Sequence, residues 1–597
     1  MGLRAPARSF GRGAAAMAGT MDDWRFDREF FRSGRPFSRI GAGDIGGKAH
    51  GLVSVREILE RECERAPAAG ITLDIPKFIV IATGVFEAFI ERNRLRDVAL
   101  SDLPDDRIAH AFQQGDLPDE ILGDLREVVE QVRQPLAVRS SSLLEDALEH
   151  PFAGVYETKM TPNNQPDPHD RFRKLTEAIK FVYASTFFRG PKNYVRATNR
   201  TIEEERMGVV LQEVVGDRHN ERFYPTLSGV CRSYNFYPMG GAKPEEGVVD
   251  LALGLGKTIV DGGLCYTYSP ARPKAPPPFG TLCDLMKFSQ TKFWAVNVGS
   301  PPPFDPIAET EYLVREGLSA AEYDGTLPFV ASTYLPGSDR LSPGTGPEGP
   351  RVINFAPLLQ MREFPLNEAL RALMKACERA AGRAVEIEFA LALPKRREPH
   401  EARLRLLQVR PMQVSTEPVD LTAEEFDRGD LLIASDRALG NGTIDNLLDV
   451  VYVKPDLFDP RHSRAVADQI ERINAPLLAA GRPYLLIGFG RWGSSDPWLG
   501  IPVSWGQISG ARVIVEATLP SQAVEPSQGT HFFHNLTSFR VGYLHVSHFR
   551  EPPIDWSWLA ERTVVGETEF VRHVRLEAPL LVKLDGRTGR GAVWQKA

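Results

Sequence analysis

The sequence predicts an α/β protein built from more than one domain. Short apolar runs of strand length, such as Lys77–Ala82 and Met207–Val215, alternate with segments of helical spacing. Glycine- and proline-rich breaks punctuate the alternation. With 597 residues, length alone points to roughly three or four domains.

The first twenty residues are rich in Ala, Gly and Arg and lack acids. They resemble a transit peptide slightly; the expectation for residues 1–23 is instead a disordered extension, or a start codon placed too early, since Met17 and Met21 follow closely. Trp24–Phe37 is an amphipathic lead-in, and Ile40–Lys48 a glycine-rich loop. Ala49–Cys63 follows as a helix, with Leu52, Val55, Ile58 and Leu59 on one face. Lys77–Ala82 is a strand and Phe86–Asn93 a helix. Leu136–Val138 is a buried strand that delivers Arg139 at its end. Arg171–Tyr194 predicts one long helix interrupted at Gly190-Pro191.

Met207–Val215, Leu227–Phe236 and Gly247–Leu253 continue the strands. Ala271–Gly280, and the stretch from Pro336 through Pro343 and Pro347, read as loops. Leu366–Ala381 is a helix stopped by Gly382, and two strands follow it. The composition breaks near Ser415–Pro418. This last break sets off a C-terminal α/β domain (416–597) of unknown role.

A content of 42% hydrophobic and 25% charged residues is ordinary for a globular protein. The formal charge of -7 gives no support for nucleic acid or an anionic membrane as partner. No run of about 18 apolar residues predicts a membrane span. Cys63, Cys231, Cys265, Cys283 and Cys377 are scattered and form no Cys-x-x-Cys, which argues against a disulfide framework or a structural zinc site. A reducing cytoplasm is the simplest expectation.

Four separated segments carry the chemistry. Gly46-Gly47-Lys48 precedes a helix; glycines let a backbone approach phosphate, and helix N-termini attract anions. A plain tight turn with a surface lysine would look the same. Arg139 leads into Ser140–Ser142, and its fork suits phosphate oxygens or a pairing with Glu145 or Asp146. Glu386 and Glu388 share one face of a strand, and Gln408 and Arg410 share a face of the next. The polar stretch Lys395–Glu401 between them reads as a hairpin connection. If the two strands pair, Glu388, Gln408 and Arg410 converge, with oxygen ligands for magnesium and a cation for phosphate; a salt-bridge ladder is the alternative. Gly254-Leu255-Gly256-Lys257-Thr258 ends like a Walker A loop, but Leu251 stands where that motif needs glycine. It reads as a glycine-rich loop near a nucleotide.

Together these segments resemble the ATP-grasp nucleotide-binding part of the phosphoenolpyruvate synthase and pyruvate phosphate dikinase family, over about Gly43 to Met412. Further landmarks are Ala137–Ser141, Glu145-Asp146, Phe152-Ala153-Gly154 and Glu157-Thr158. The resemblance implies a two-lobed fold, with an N-terminal lobe (24–205) and a second lobe (206–415), that binds ATP and Mg2+ as a phosphotransferase. It implies Lys48, Arg139 and Arg410 as catalytic phosphate contacts, with Gly46 and Gly47 in the phosphate loop. Gln212, Glu213 and Val215 would lie along the adenine, and Glu388 and Gln408 would hold the metal.

The family passes phosphate to a histidine on a mobile domain, in a Thr-Ser-His-Ala context. No such motif follows Met412, although Gly490–Val503, with Ser494-Ser495-Asp496, echoes its flanks. Residues 416–597 are also too few for a further barrel of about 250 residues. The sequence thus leaves three expectations open: transfer to a histidine or unknown acceptor, a regulator that binds nucleotide without transfer, or a separate acceptor protein or subunit. Gln528–Asn535, with His531 and His534, is the candidate acceptor; a buried loop with hydrogen-bonded histidines is the competing expectation. His545 and His548 are expected in an exposed stretch.

Overall fold

The computed structural model describes residues 24–62, 71–145, 154–196, 200–238, 241–275, 281–361, 364–393, 402–414, 419, 421–426, 430–519, 530–549 and 554–595. The expected extension, Cys63, Asp146, Phe152, Ala153, the connection 395–401, the break at 415–418, Gln528 and Gly529 lie outside them. The fold is mixed α/β.

The first sheet has five strands, in the order Phe37–Ile40, Phe78–Ile81, Met207–Glu213, Leu136–Ser142, Thr158–Thr161. The first pair is parallel and the others antiparallel. Its central strand, Met207–Glu213, is apolar on both faces and almost wholly buried. Helices Thr83–Arg92, Asp105–Gln114, Asp119–Gln131 and Pro168–Ser185 contribute their apolar faces to the same core.

The second sheet has six strands, in the order Tyr266–Tyr268, Val248–Ala252, Leu227–Arg232, Val385–Ala392, Ala402–Pro411, Ile71–Asp74. The lobes are therefore not contiguous stretches of chain. Ile71–Asp74 crosses into the second sheet, and Met207–Glu213, beyond the expected boundary at 205, is the middle of the first. Backbone pairing, not sequence order, sets the division.

The C-terminal region forms a nine-stranded sheet. At its centre Asn441–Val453, Tyr484–Phe489, Ala511–Ala517 and Gly542–Val546 run parallel. The long strand Val571–Asp585 closes one side against Asn441–Val453 and Arg590–Trp594. One apolar core runs from the first sheet into this domain. Rings of Phe236 and Phe533, and of Tyr194 and Phe539, meet across the seam with centroids 5.5 Å apart.

Several local expectations are corrected. The strand carrying Arg139 does not stop at Val138; it runs from Leu136 to Ser142, because the three serines pair in register with Met207–Val209. The long helix breaks at 186–188 rather than at Gly190-Pro191. Pro191 sits in the first turn of the following helix, Arg189–Arg196, where a missing N–H costs nothing. The proline-rich stretch after Pro336 is not only loop: Arg340–Pro343 and Arg351–Ile353 flank Ala331–Leu335 in a small sheet. Leu366–Ala381 ends at Gly382 in the left-handed conformation, as expected. Cys231, Cys265, Cys283 and Cys377 form no disulfide with one another. Among the described residues no helix is long and apolar enough to cross a membrane.

Candidate functional site

A cavity of about 270 Å3 lies between the two lobes. Lys48 enters it from the start of helix Gly47–Glu62. Its ammonium donates to Glu145 Oε1 at 2.6 Å and to Ser140 Oγ at 2.8 Å. Gly46 and Gly47 do not line the cavity. Their need for glycine has another cause. A Cβ on Gly46 would stand 1.7 Å from the Ser141 carbonyl oxygen, and one on Gly47 would stand 1.9 Å from that of Glu145. The glycines let the loop pack onto the end of the Arg139 strand, and that packing aims Lys48.

Arg139 crosses from the first sheet to the second. It donates to Gln212 Oε1 at 3.1 Å, the Leu407 carbonyl at 2.8 Å and Gln408 Oε1 at 2.9 Å, and reaches Glu388 Oε2 at 3.4 Å. It does not pair with Glu145, which belongs to Lys48. Strands Val385–Ala392 and Ala402–Pro411 pair antiparallel, with Glu386 opposite Arg410 and Glu388 opposite Gln408. Arg410 is fully buried and is held by both acids: Glu386 Oε1 at 3.0 Å from its Nε, and Glu388 through a short ion pair.

The electrostatics follow from this crowding. Burial alone would raise the Glu388 carboxyl, but Arg410, Arg139, His531 and Lys48 bring it down to about 2. Glu386, deeper and beside a second carboxylate, is pushed up by burial despite Arg410 and Arg232. Glu388 is thus held as a carboxylate by the cations around it.

Gln212 is buried, and its Nε2 finds no partner among the described residues. A buried amide donor aimed into a cavity costs free energy unless something there accepts it. Glu213, Val214 and Val215 continue the lining, with Met160, Leu255 and Leu313 supplying apolar surface.

Sequence reasoning missed a second cluster in this cavity. Lys257, from the glycine-rich loop, pairs with Asp261 at 3.1 Å and Glu309 at 2.9 Å. Glu157 lies beside them, and burial together with the Glu309 charge raises its carboxyl to about 7. Glu157 was legible only as a family landmark, and Glu309 sits in no motif. Among the described residues no group of three or more His, Cys, Asp or Glu is placed to hold a metal. Glu388 with the amide oxygen of Gln408 is a smaller oxygen set.

The C-terminal domain completes the cavity. His531 lines it from the first turn of helix His531–Ser538, which Thr530 caps by accepting from the Phe533 amide at 3.0 Å. The expectation of a buried loop is corrected: the pair stands on a helix, so His531 and His534 share a face. His531 has no hydrogen bond among the described residues. Burial and the charges of Arg410, Lys48 and Arg139 push it down to about 3, against the opposing pull of Glu388. His534 stands behind, with Nδ1 3.8 Å from Glu386 Oε1. His545, expected to be exposed, is buried in a strand against Glu516.

The neighbouring C-terminal loop is pinned to the second lobe. Buried Arg491 donates to the Gly262 and Gly263 carbonyls at 3.1 Å each, and Ser495 bonds the Asp261 carbonyl through its N–H and its hydroxyl, each at 2.9 Å.

Residues 42–273 match the family model described as the pyruvate phosphate dikinase AMP/ATP-binding domain. The chain is 28% identical over 192 residues to an uncharacterized phosphotransferase, YvkC, of Bacillus subtilis; the match covers 32% of this chain and 21% of that protein. It is 26% identical over 231 residues to the phosphoenolpyruvate synthase of Aeropyrum pernix, covering 36% and 25%. The chain thus spans a quarter or less of the length of these curated relatives. The resemblance to the phosphoenolpyruvate synthase and pyruvate phosphate dikinase family holds over this segment. Glu388, Gln408, Arg410 and His531 all lie beyond the matched domain model.

Proposed function

We propose that this protein is an ATP-dependent phosphotransferase that passes a phosphoryl group from MgATP to His531. The observation that carries the reading is convergence. Lys48 and Arg139 from the first lobe, Glu388, Gln408 and Arg410 from the second, and a neutral imidazole from the C-terminal domain line one cavity.

The chemistry is positioning and charge neutralisation. Phosphate oxygens compete with Glu388 for Arg139, which releases a carboxylate oxygen. Magnesium arriving with ATP would be held by Glu388 and Gln408, and there it neutralises phosphate charge. The orphan donor of Gln212 and the apolar surface beside Val215 suit a purine. Burial, with three cations around it, keeps the His531 ring unprotonated, so a nitrogen lone pair is available as nucleophile. That lone pair forms the N–P bond while the bridging P–O bond breaks, and the electron pair leaves with the nucleotide oxygen. The phosphorylated ring is then ready to pass its group to a further acceptor, a small molecule or another protein.

The test is incubation of the full chain with magnesium and with γ- and β-radiolabelled ATP in turn. Label should reach the protein in acid-labile, alkali-stable form, map to His531 and vanish in His531→Asn. Glu388→Gln should lower it about tenfold or more. Label on another residue, or ATP binding without labelling, would overturn His531 as the acceptor.

A further inference from the structure

A second cavity, of about 420 Å3, opens where the chain leaves the second lobe for the C-terminal domain. Tyr234, Asn441, Thr443 and Thr537 contribute hydroxyl and amide groups, and Arg512 and Arg540 contribute charge. None of the described residues that line it is an acid. Arg512 and Arg540 are exposed, in a chain of net charge -7. Arg540 makes no side-chain hydrogen bond or ion pair among the described residues. Arg512 reaches only the Phe539 carbonyl, at 3.4 Å. Asp585, one residue before the lining Gly586, is engaged by Arg587 and Thr588.

The backbone gives an independent sign. Arg540 follows helix His531–Ser538 with φ of 54°, in the left-handed region. Glycine or asparagine closes a helix there at lower cost. A strained arginine in such a place points to a use for its side chain. Thr537 belongs to the same helix that carries His531 into the first cavity, about 9 Å further along its axis.

We propose that this cavity binds a phosphate-bearing small molecule, held by the guanidinium groups of Arg512 and Arg540. Two forks with no carboxylate partner among the described residues, beside hydroxyl and amide donors, match phosphate oxygens.

The probe is inorganic pyrophosphate, titrated calorimetrically into the full chain with the first cavity filled by a non-hydrolysable ATP analogue. Wild-type protein should bind it, and Arg512→Ala and Arg540→Gly should each weaken binding about tenfold or more. Arg540→Gly removes the charge and also relieves the left-handed strain, so its melting temperature should be no lower than wild type. Both variants lie outside the nucleotide cavity, so their effect is read whether or not that cavity takes ATP. No pyrophosphate binding, wild-type affinity in both variants, or succinate binding as tightly as pyrophosphate would each overturn the proposal.

Discussion

Lys48, Arg139 and Arg410 each stand against a carboxylate: Glu145, Glu388, and the pair Glu386 and Glu388. A cation so placed is oriented before any ligand arrives, which lowers the entropy lost on binding. Lys48→Ala and Arg139→Ala should each weaken ATP binding by at least about 1.5 kcal/mol, the scale of a charge-assisted contact. Calorimetric titration checks this, and unchanged affinity in both variants would sink the site. His531 gives a pH prediction. Its folded-state value, about 3, lies below the ordinary 6.5. The unfolded chain therefore takes up a proton first as pH falls, and stability is lost from about pH 6.5 downward. His531→Gln removes this loss, so the variant should gain on wild type as pH drops from 7 to 4 in chemical denaturation. A constant difference across that range would mean that the imidazole is not held neutral.

At the scale of elements, the site depends on close approaches that only glycine allows. Gly154 has φ of 64°, and a Cβ there would stand 2.6 Å from the His531 ring. Gly154→Ala should displace helix His531–Ser538 by its first turn while leaving Lys48 and Arg139 in place. We expect ATP affinity within about twofold of wild type and at least about a tenfold loss of His531 labelling. Full labelling in this variant would show that the contact has no role. Elements with a strong local period were legible: the helix Leu366–Ala381 and its stop at Gly382 follow from spacing and one glycine. The hairpin after Pro336 was not, because Pro343 ends its strand and reads locally as a break. The helix end at Ser185 was hidden for a similar reason. Gly190-Pro191 is a stronger local signal than the turn at 186–188, yet it begins a helix rather than ending one.

At the scale of the whole molecule, the C-terminal domain is a wall of the cavity between the lobes. Its apolar core is continuous with that of the first lobe, and Arg491 ties it to the loop at Gly262 and Gly263. Removing Arg491 takes a donor from the Gly263 carbonyl and one of two from the Gly262 carbonyl, which keeps Ser494 Oγ at 3.3 Å. Arg491→Ala should cost about 1–3 kcal/mol and raise hydrogen exchange in residues 261–263 and 531–538 together. Exchange confined to residues around 491 would mean that the seam holds without this contact.

The sequence by itself determined the local parts: the periods of strands and helices, the glycine loop before Lys48, and the pattern that places Glu386 with Glu388 and Gln408 with Arg410 on strand faces. It also carried the family resemblance over the nucleotide-binding segment. Only the tertiary structure decided which charges meet. Arg139 and Glu388 are 249 residues apart in the chain, and no local signal links them. Glu309 reaches the local pair of Lys257 and Asp261 in the same way, across 52 residues. His531 stood out as one of a pair, but its place in the cavity follows from the seam of Phe533, Phe236 and Arg491. Local sequence encodes backbone preference within a few residues. The site is made by side chains that the long-range packing of three sheets brings together.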